Sequence, residues 1–200
     1  LKIECPAEAN RCIWRPLTGG ATDTMTVHND LTIVEGGFDS DGIANVMVVT
    51  NDVSVESGGH LGRYRSDSGS PETGARTFGS ITIGAGGTWQ ATSGVTSVLD
   101  GNFNNSGTFT HNSGKVLLRA HDKYINNTGT VEPVFYDLQL DQSPTVAAGD
   151  IQCVDGKNIT IENTLSTLTT GRLRPATMTV TLGTTTSAGN ILTHAAGNDI

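Results

Sequence analysis

The sequence predicts an all-β protein, a parallel β-helix (solenoid) of about eight coils with roughly 20–22 residues per coil. Three observations carry this. A glycine followed two residues later by an apolar residue recurs as Gly59-His60-Leu61, Gly87-Thr88-Trp89, Gly107-Thr108-Phe109, Gly129-Thr130-Val131, Gly149-Asp150-Ile151, Gly171-Arg172-Leu173 and Gly189-Asn190-Ile191, with Gly36-Gly37-Phe38 opening the series. Short runs of strict apolar/polar alternation precede several of these glycines. The string Asn104-Asn105-Ser106-Gly107-Thr108-Phe109 returns as Asn126-Asn127-Thr128-Gly129-Thr130-Val131. An antiparallel sandwich is the competing all-β arrangement, but it does not require identical punctuation at a fixed period.

Taken in chain order, residues 1–30 lack the coil pattern until Thr24-Met25-Thr26-Val27 and are expected to form an N-terminal cap or a linker. The solenoid is expected over 31–200. Its strands read Leu31–Glu35, Val53–Ser57, Ile81–Ala85, Lys115–Leu118, Phe135–Leu140, Asn158–Glu162 and Thr177–Leu182. At each corner the glycine permits either a positive φ or a close approach of two coils. The residue after it faces solvent and the next returns to the core. The period breaks once, between Gly59 and Gly87, where the polar segment 62–76 (GRYRSDSGSPETGAR) is expected to be a loop extruded from one coil. Arg63, Tyr64 and Arg65 make that loop the candidate binding element, against a plain solvated insertion.

Composition narrows the function classes. A formal net charge of −8 with only 16% charged residues argues against a nucleic-acid binder, which needs clustered cations. No apolar run is long enough to span a membrane, and Leu1-Lys2-Ile3-Glu4 does not open a signal peptide. The start and end of the chain suggest a processed or partial protein. Cys5 and Cys12 are close enough in sequence to close a short loop, whereas Cys153 shares the strand parity of Ile151 and reads as a buried thiol.

Chemistry has few footholds. If the repeats stack in register, Glu132, Asp150, Arg172 and Arg174 share one face, the best acid–base constellation available and equally a surface ion-pair patch. Phe38-Asp39-Ser40-Asp41-Gly42 offers oxygens to a calcium ion but lacks the ligands that complete an EF-hand, so an Asx-rich turn is expected. His28, His60, His111, His121 and His194 are dispersed, so no metal and no cofactor is expected. Thr-x-Thr pairs do not stack into an ice-binding array. Asn104, Asn126 and Asn158 head glycosylation-type triplets but are expected to be stacking asparagines.

The run GGTWQATSGVTSVLDGNFNNSGTFTHNSGKVLL, followed by INNTGTV, FYDLQLD and NITIENTLSTLTTGRL, resembles the Gly/Asn/Thr-rich repeats of bacterial surface and phage virion proteins. The resemblance covers about residues 31 to 193 and implies a right-handed β-helix with an extracellular, cell-surface or virion role. The inserted loop and the cysteine-bearing start depart from it. The expectation is therefore a non-enzymatic, self-assembling structural or adhesive segment. Its partners would be copies of itself, other surface or virion proteins, or surface glycans. The alternative is a polysaccharide lyase or hydrolase.

Overall fold

Because alternation gives each short segment one apolar row and one polar row, a segment is stable only when coiled so that the apolar row is enclosed. In the computed structural model, which describes residues 1–4, 11–14, 23–40, 45–62, 72–119, 123–141, 151–154, 158–167, 173–175, 179–183 and 191–193, these segments wind into a parallel β-solenoid. Every strand pairing among the described residues is parallel, and no helix occurs among them.

About five turns carry a strand on each of three faces. The first is β1 (Lys2–Glu4), β2 (Arg11–Trp14) and β3 (Thr24–Val27); the second is β4 (Leu31–Ser40), which runs through a corner and serves two faces, and β5 (Val46–Val49). Then follow β6 (Val53–Val55), β7 (Gly59–Leu61) and β8 (Arg76–Phe78); β9 (Ile81–Ile83), β10 (Thr88–Gln90) and β11 (Thr96–Leu99); and β12 (Phe103–Asn105), β13 (Thr108–Thr110) and β14 (Lys115–Arg119). Beyond them the first face continues through β15 (Tyr124–Asn127), β17 (Ile151–Val154) and β19 (Leu173–Pro175). The third face continues through β16 (Val134–Asp141) and β18 (Ile159–Thr167), which pairs with both β20 (Val180–Leu182) and β21 (Ile191–Thr193).

Register turns the alternation into columns. On the first face Leu31, Val53, Ile81, Phe103 and Ile125 lie side by side and are fully buried. The neighbouring inward column runs Ile33, Val55, Ile83 and then changes character to Asn105 and Asn127. Those two amides are buried and satisfied: Asn105 Nδ2 donates to Asn127 Oδ1 at 3.1 Å, and Asn127 Nδ2 donates to the Val131 carbonyl at 3.3 Å. Ser106 and Thr128 hydroxyls meet at 2.6 Å, so the repeated Asn-Asn-Ser/Thr string is a stacked ladder. On the second face Phe38, Leu61, Trp89 and Phe109 stack in register. Each buried aliphatic or aromatic side chain in such a column contributes about 1.5–3 kcal/mol relative to exposure.

The glycines divide the labour at the corners. Gly58, one residue before the repeating glycine, adopts φ +83°, while a Cβ on Gly107 would overlap the carbonyls of Gly84 and Gly87 in the coil below. The repeating glycine is thus required by close approach of two coils.

Two expectations are corrected. First, five three-faced turns stand where about eight coils are expected, because no strand is described on the second face after β13. The glycine spacing sends Val131 inward like Phe109, yet Val131 is 59% exposed. β16 starts early, at Val134, and Phe135 fills the interior instead, with its ring 5.2 Å from both Phe103 and Phe109. Second, the period breaks twice: Ile125 pairs with Cys153, a 28-residue step like that from Val53 to Ile81, and the surplus falls within 142–150, outside the described residues. The described stretches of 1–30 pair with β4 and β5 as the first rung.

Candidate functional site

The corner between the third and first faces is built from one polar residue placed just before each first-face strand. Asp30, Asp52, Ser80 and Asn102 occupy this position in successive rungs. Each side chain accepts a hydrogen bond from the backbone of the next rung. Asp52 N–H reaches Asp30 Oδ1 at 3.3 Å, Ser80 N–H reaches Asp52 Oδ1 at 2.7 Å, Asn102 N–H reaches Ser80 Oγ at 3.2 Å, and Tyr124 N–H reaches Asn102 Oδ1 at 3.0 Å. The corner amides that no strand partner satisfies are satisfied this way. Along this ladder runs an open groove of about 400 Å³, lined by Asp30, Asp52, Ser80, Asp100, Gly101 and Lys123 among others. Sequence reading passed over these residues, although the signal was present: a short polar residue precedes Leu31-Thr32-Ile33, Val53-Ser54-Val55, Ile81-Thr82-Ile83 and Phe103-Asn104-Asn105.

Two further polar clusters flank the core. At the root of the inserted segment, Arg76 is 3% and Glu72 8% exposed, and Arg76 Nη2 donates to Glu72 Oε2 at 2.6 Å. Arg76 Nη1 donates to the Asn45 carbonyl at 2.6 Å and to the Gly74 carbonyl at 3.2 Å. At the opposite end of the second face, His111 Nδ1 accepts the Ser113 N–H at 2.9 Å, and His111 Nε2 lies 3.2 Å from Glu162 Oε2. The Tyr136 ring stacks on the imidazole at 5.7 Å. Asn112 and Ser113 both hold positive φ, so the turn that presents His111 is conformationally costly. Both imidazole nitrogens are thus engaged within the fold. On the third face Arg119 binds Asp100 through two hydrogen bonds of 2.7 and 2.8 Å. That bonding, with the nearby charges of Asp100 and Asp141, raises the guanidinium pKa further above its ordinary value against a smaller effect of burial.

The residues singled out from sequence distribute as follows. Glu132 is exposed in the connection between β15 and β16. Arg174 lies on the first face, where Gln152 pairs with Tyr124 on one side and with Arg174 on the other, and Glu132 belongs to no strand. Ile151 and Leu173 follow their glycines on the first face, whereas Leu61, Trp89 and Phe109 follow theirs on the second. Two glycine series at different corners share the same punctuation. Asp150, Arg172, Arg63, Tyr64 and Arg65 lie outside the described residues, as do Cys5 and Asp41. Arg76, the last residue of the 62–76 segment, opens β8. The second face carries Thr88 and Gln90 beside Thr108 and Thr110, with His60 below Thr88, so no threonine array forms there. Asn104 Nδ2 donates to Thr82 Oγ1 and Asn158 Oδ1 accepts the Thr179 N–H, both as rung-to-rung contacts. Among the described residues no three His, Cys, Asp or Glu side chains converge as a metal site, and no helix is long and apolar enough to cross a membrane.

Fold and surface together define a parallel β-solenoid with polar corner ladders. Comparison with protein-family models, with curated proteins and with solved structures gives no match.

Proposed function

We propose that the chain is a non-enzymatic structural or adhesive rod, a segment of an exported bacterial surface protein or phage virion appendage that assembles with copies of itself. On this reading the winding is right-handed. The observation that carries it is where the polar side chains go. Asp30, Asp52, Ser80, Asn102, Asn105 and Asn127 are spent on joining one rung to the next and not on a shared reacting centre. The outward first-face column of Thr32, Ser54, Thr82, Asn104 and Asn126 is neutral and suited to an exposed, extracellular surface. The resemblance of the repeats to those of surface and virion proteins points the same way.

Electron microscopy with sedimentation analysis tests the reading. Ordered oligomers or filaments are expected, and a strictly monomeric protein at all concentrations refutes self-assembly. A polysaccharide lyase or hydrolase predicts release of reducing ends from glycans. No release is expected, and release abolished by Glu132→Ala would favour the enzyme instead. Deleting 63–71 reports on the loop: loss of surface binding with an intact fold assigns adhesion to it.

A further inference from the structure

The contacts of His111, in the turn between β13 and β14, depend on where its ring carries a proton. Nδ1 accepts the Ser113 N–H at 2.9 Å, so it bears no hydrogen. The hydrogen of the neutral ring is therefore on Nε2, which faces Glu162 Oε2 at 3.2 Å. Glu162 lies on β18, two strands along the third face from β14, and a bulge brings it within reach. Phe135 pairs with Ile161 and Asp137 with Thr164, so Glu162 and Asn163 together oppose Tyr136. Such a bulge re-aims a side chain. The Tyr136 ring, on the intervening strand, stacks on the imidazole with centroids 5.7 Å apart.

The turn itself is held by the Ser113 bond, by Gly114 N–H donating to the His111 carbonyl at 2.8 Å, and by Asn112 Nδ2 donating to the Ala91 carbonyl at 2.7 Å. These bonds keep Asn112 and Ser113 at φ of 47° and 57°, a left-handed backbone that serine adopts only at a cost. A second ring proton has one place to go, which is Nδ1. Two N–H groups would then point at each other, and the Ser113 bond is lost. The same proton makes the ring a cation, which tightens its hold on the Glu162 carboxylate. Other titratable groups on the packed elements are turned elsewhere or ionise in another range. Asp137 accepts from Asn163 Nδ2 at 2.7 Å, Lys115 Nζ lies 3.5 Å from Gln139 Oε1, and Glu132 is exposed in the connection before β16. Phenols such as that of Tyr136 ionise well above the histidine range. The rung below presents the Ala91 backbone to the turn.

We propose that the turn from His111 to Gly114 is a proton-operated latch. It is closed while the imidazole is neutral and releases Ser113 when mild acid protonates Nδ1, with Nε2 still on Glu162 and the solenoid still wound. The device does not depend on what the rod assembles with. The test is NMR of the 15N-labelled full chain at about pH 8 and about pH 5, the span over which histidines change charge. Imidazole nitrogen shifts report the tautomer, and amide hydrogen exchange reports the turn. At the higher pH the ring is expected to carry its hydrogen on Nε2. At the lower pH the protection factor of Ser113, corrected for the intrinsic exchange rate, should fall roughly fivefold, the worth of one hydrogen bond. The buried strand residues Phe103 and Ile125 should keep their protection. His111→Asn retains a side-chain oxygen for the same amide two residues on but takes up no proton, so Ser113 protection should be equal at both pH values. Glu162→Gln keeps an acceptor for Nε2–H and removes the charge, so the Ser113 transition should move to lower pH. Equal Ser113 protection at both pH values in the wild type, or a hydrogen on Nδ1 at the higher pH, overturns the latch whether or not the variants fold. A fall that persists in His111→Asn also overturns it. A transition that does not move in Glu162→Gln overturns the part given to Glu162.

Discussion

Removing Arg76 should be among the costliest single changes in this chain, and the reason is Glu72. The pair is almost sealed from solvent, at 3% and 8% exposure, with a 2.6 Å hydrogen bond between them. Replacing Arg76 by Met keeps much of the apolar stem but strips the charge from Glu72 and the 2.6 Å donor from the Asn45 carbonyl. Breaking one half of a buried pair costs about 3–5 kcal/mol, because the surviving charge stays desolvated. For a domain of this size that corresponds to a melting temperature lower by roughly 6–20 °C. The double variant Glu72→Gln/Arg76→Met removes both charges and should recover about 2 kcal/mol or more of that loss. Urea unfolding followed by far-UV circular dichroism measures all four proteins, with the slope checked for constancy. A single variant within about 1 kcal/mol of wild type refutes the reasoning. So does a double variant that merely sums the two single losses.

Gly107→Ala forces a Cβ against the carbonyls of Gly84 and Gly87, and the coil must shift at a cost of about 1–3 kcal/mol. Ser106→Ala beside it loses only a surface hydroxyl contact and should cost under about 1 kcal/mol in the same unfolding assay. Arg119→Gln breaks a half-exposed bidentate pair and should cost under about 1 kcal/mol, less in high salt. Because the folded chain holds the Arg119 proton more tightly, its contribution is fully present below the ordinary guanidinium range and is lost only above it. The gap between wild type and Arg119→Gln, measured by denaturant titration, should therefore be constant from about pH 6 to pH 9.

The solenoid was legible because its physics is periodic. Apolar alternation and a glycine at the tight corner recur together, and Leu61, Trp89 and Phe109 stack as their spacing demands. The pattern misled where two different corners use the same punctuation. Gly149 and Gly171 look like Gly87 and Gly107, yet the strands after them belong to another face. Nothing local distinguishes Val131 from Phe109 either. What decides is Phe135, four residues on, whose larger ring takes the interior space first. The Arg76–Glu72 pair was hidden inside a segment whose polarity suggested solvent, since composition does not report which charges fold back. The corner ladder was readable as a short polar residue before each strand, but its purpose emerges only when the next rung's amide is in place.

That ladder has a direction. At four consecutive corners the acceptor belongs to the earlier rung and the N–H to the later one. A chain made from its N-terminus therefore presents a finished template before the segment that needs it arrives. Each new coil finds both an open sheet edge and a waiting side-chain acceptor, and neither depends on residues still to be synthesised. Growth from the other end would expose amides whose partners do not yet exist. The order of synthesis and the order of assembly thus coincide, and a chain truncated after any rung up to Asn102 should end on a ready acceptor.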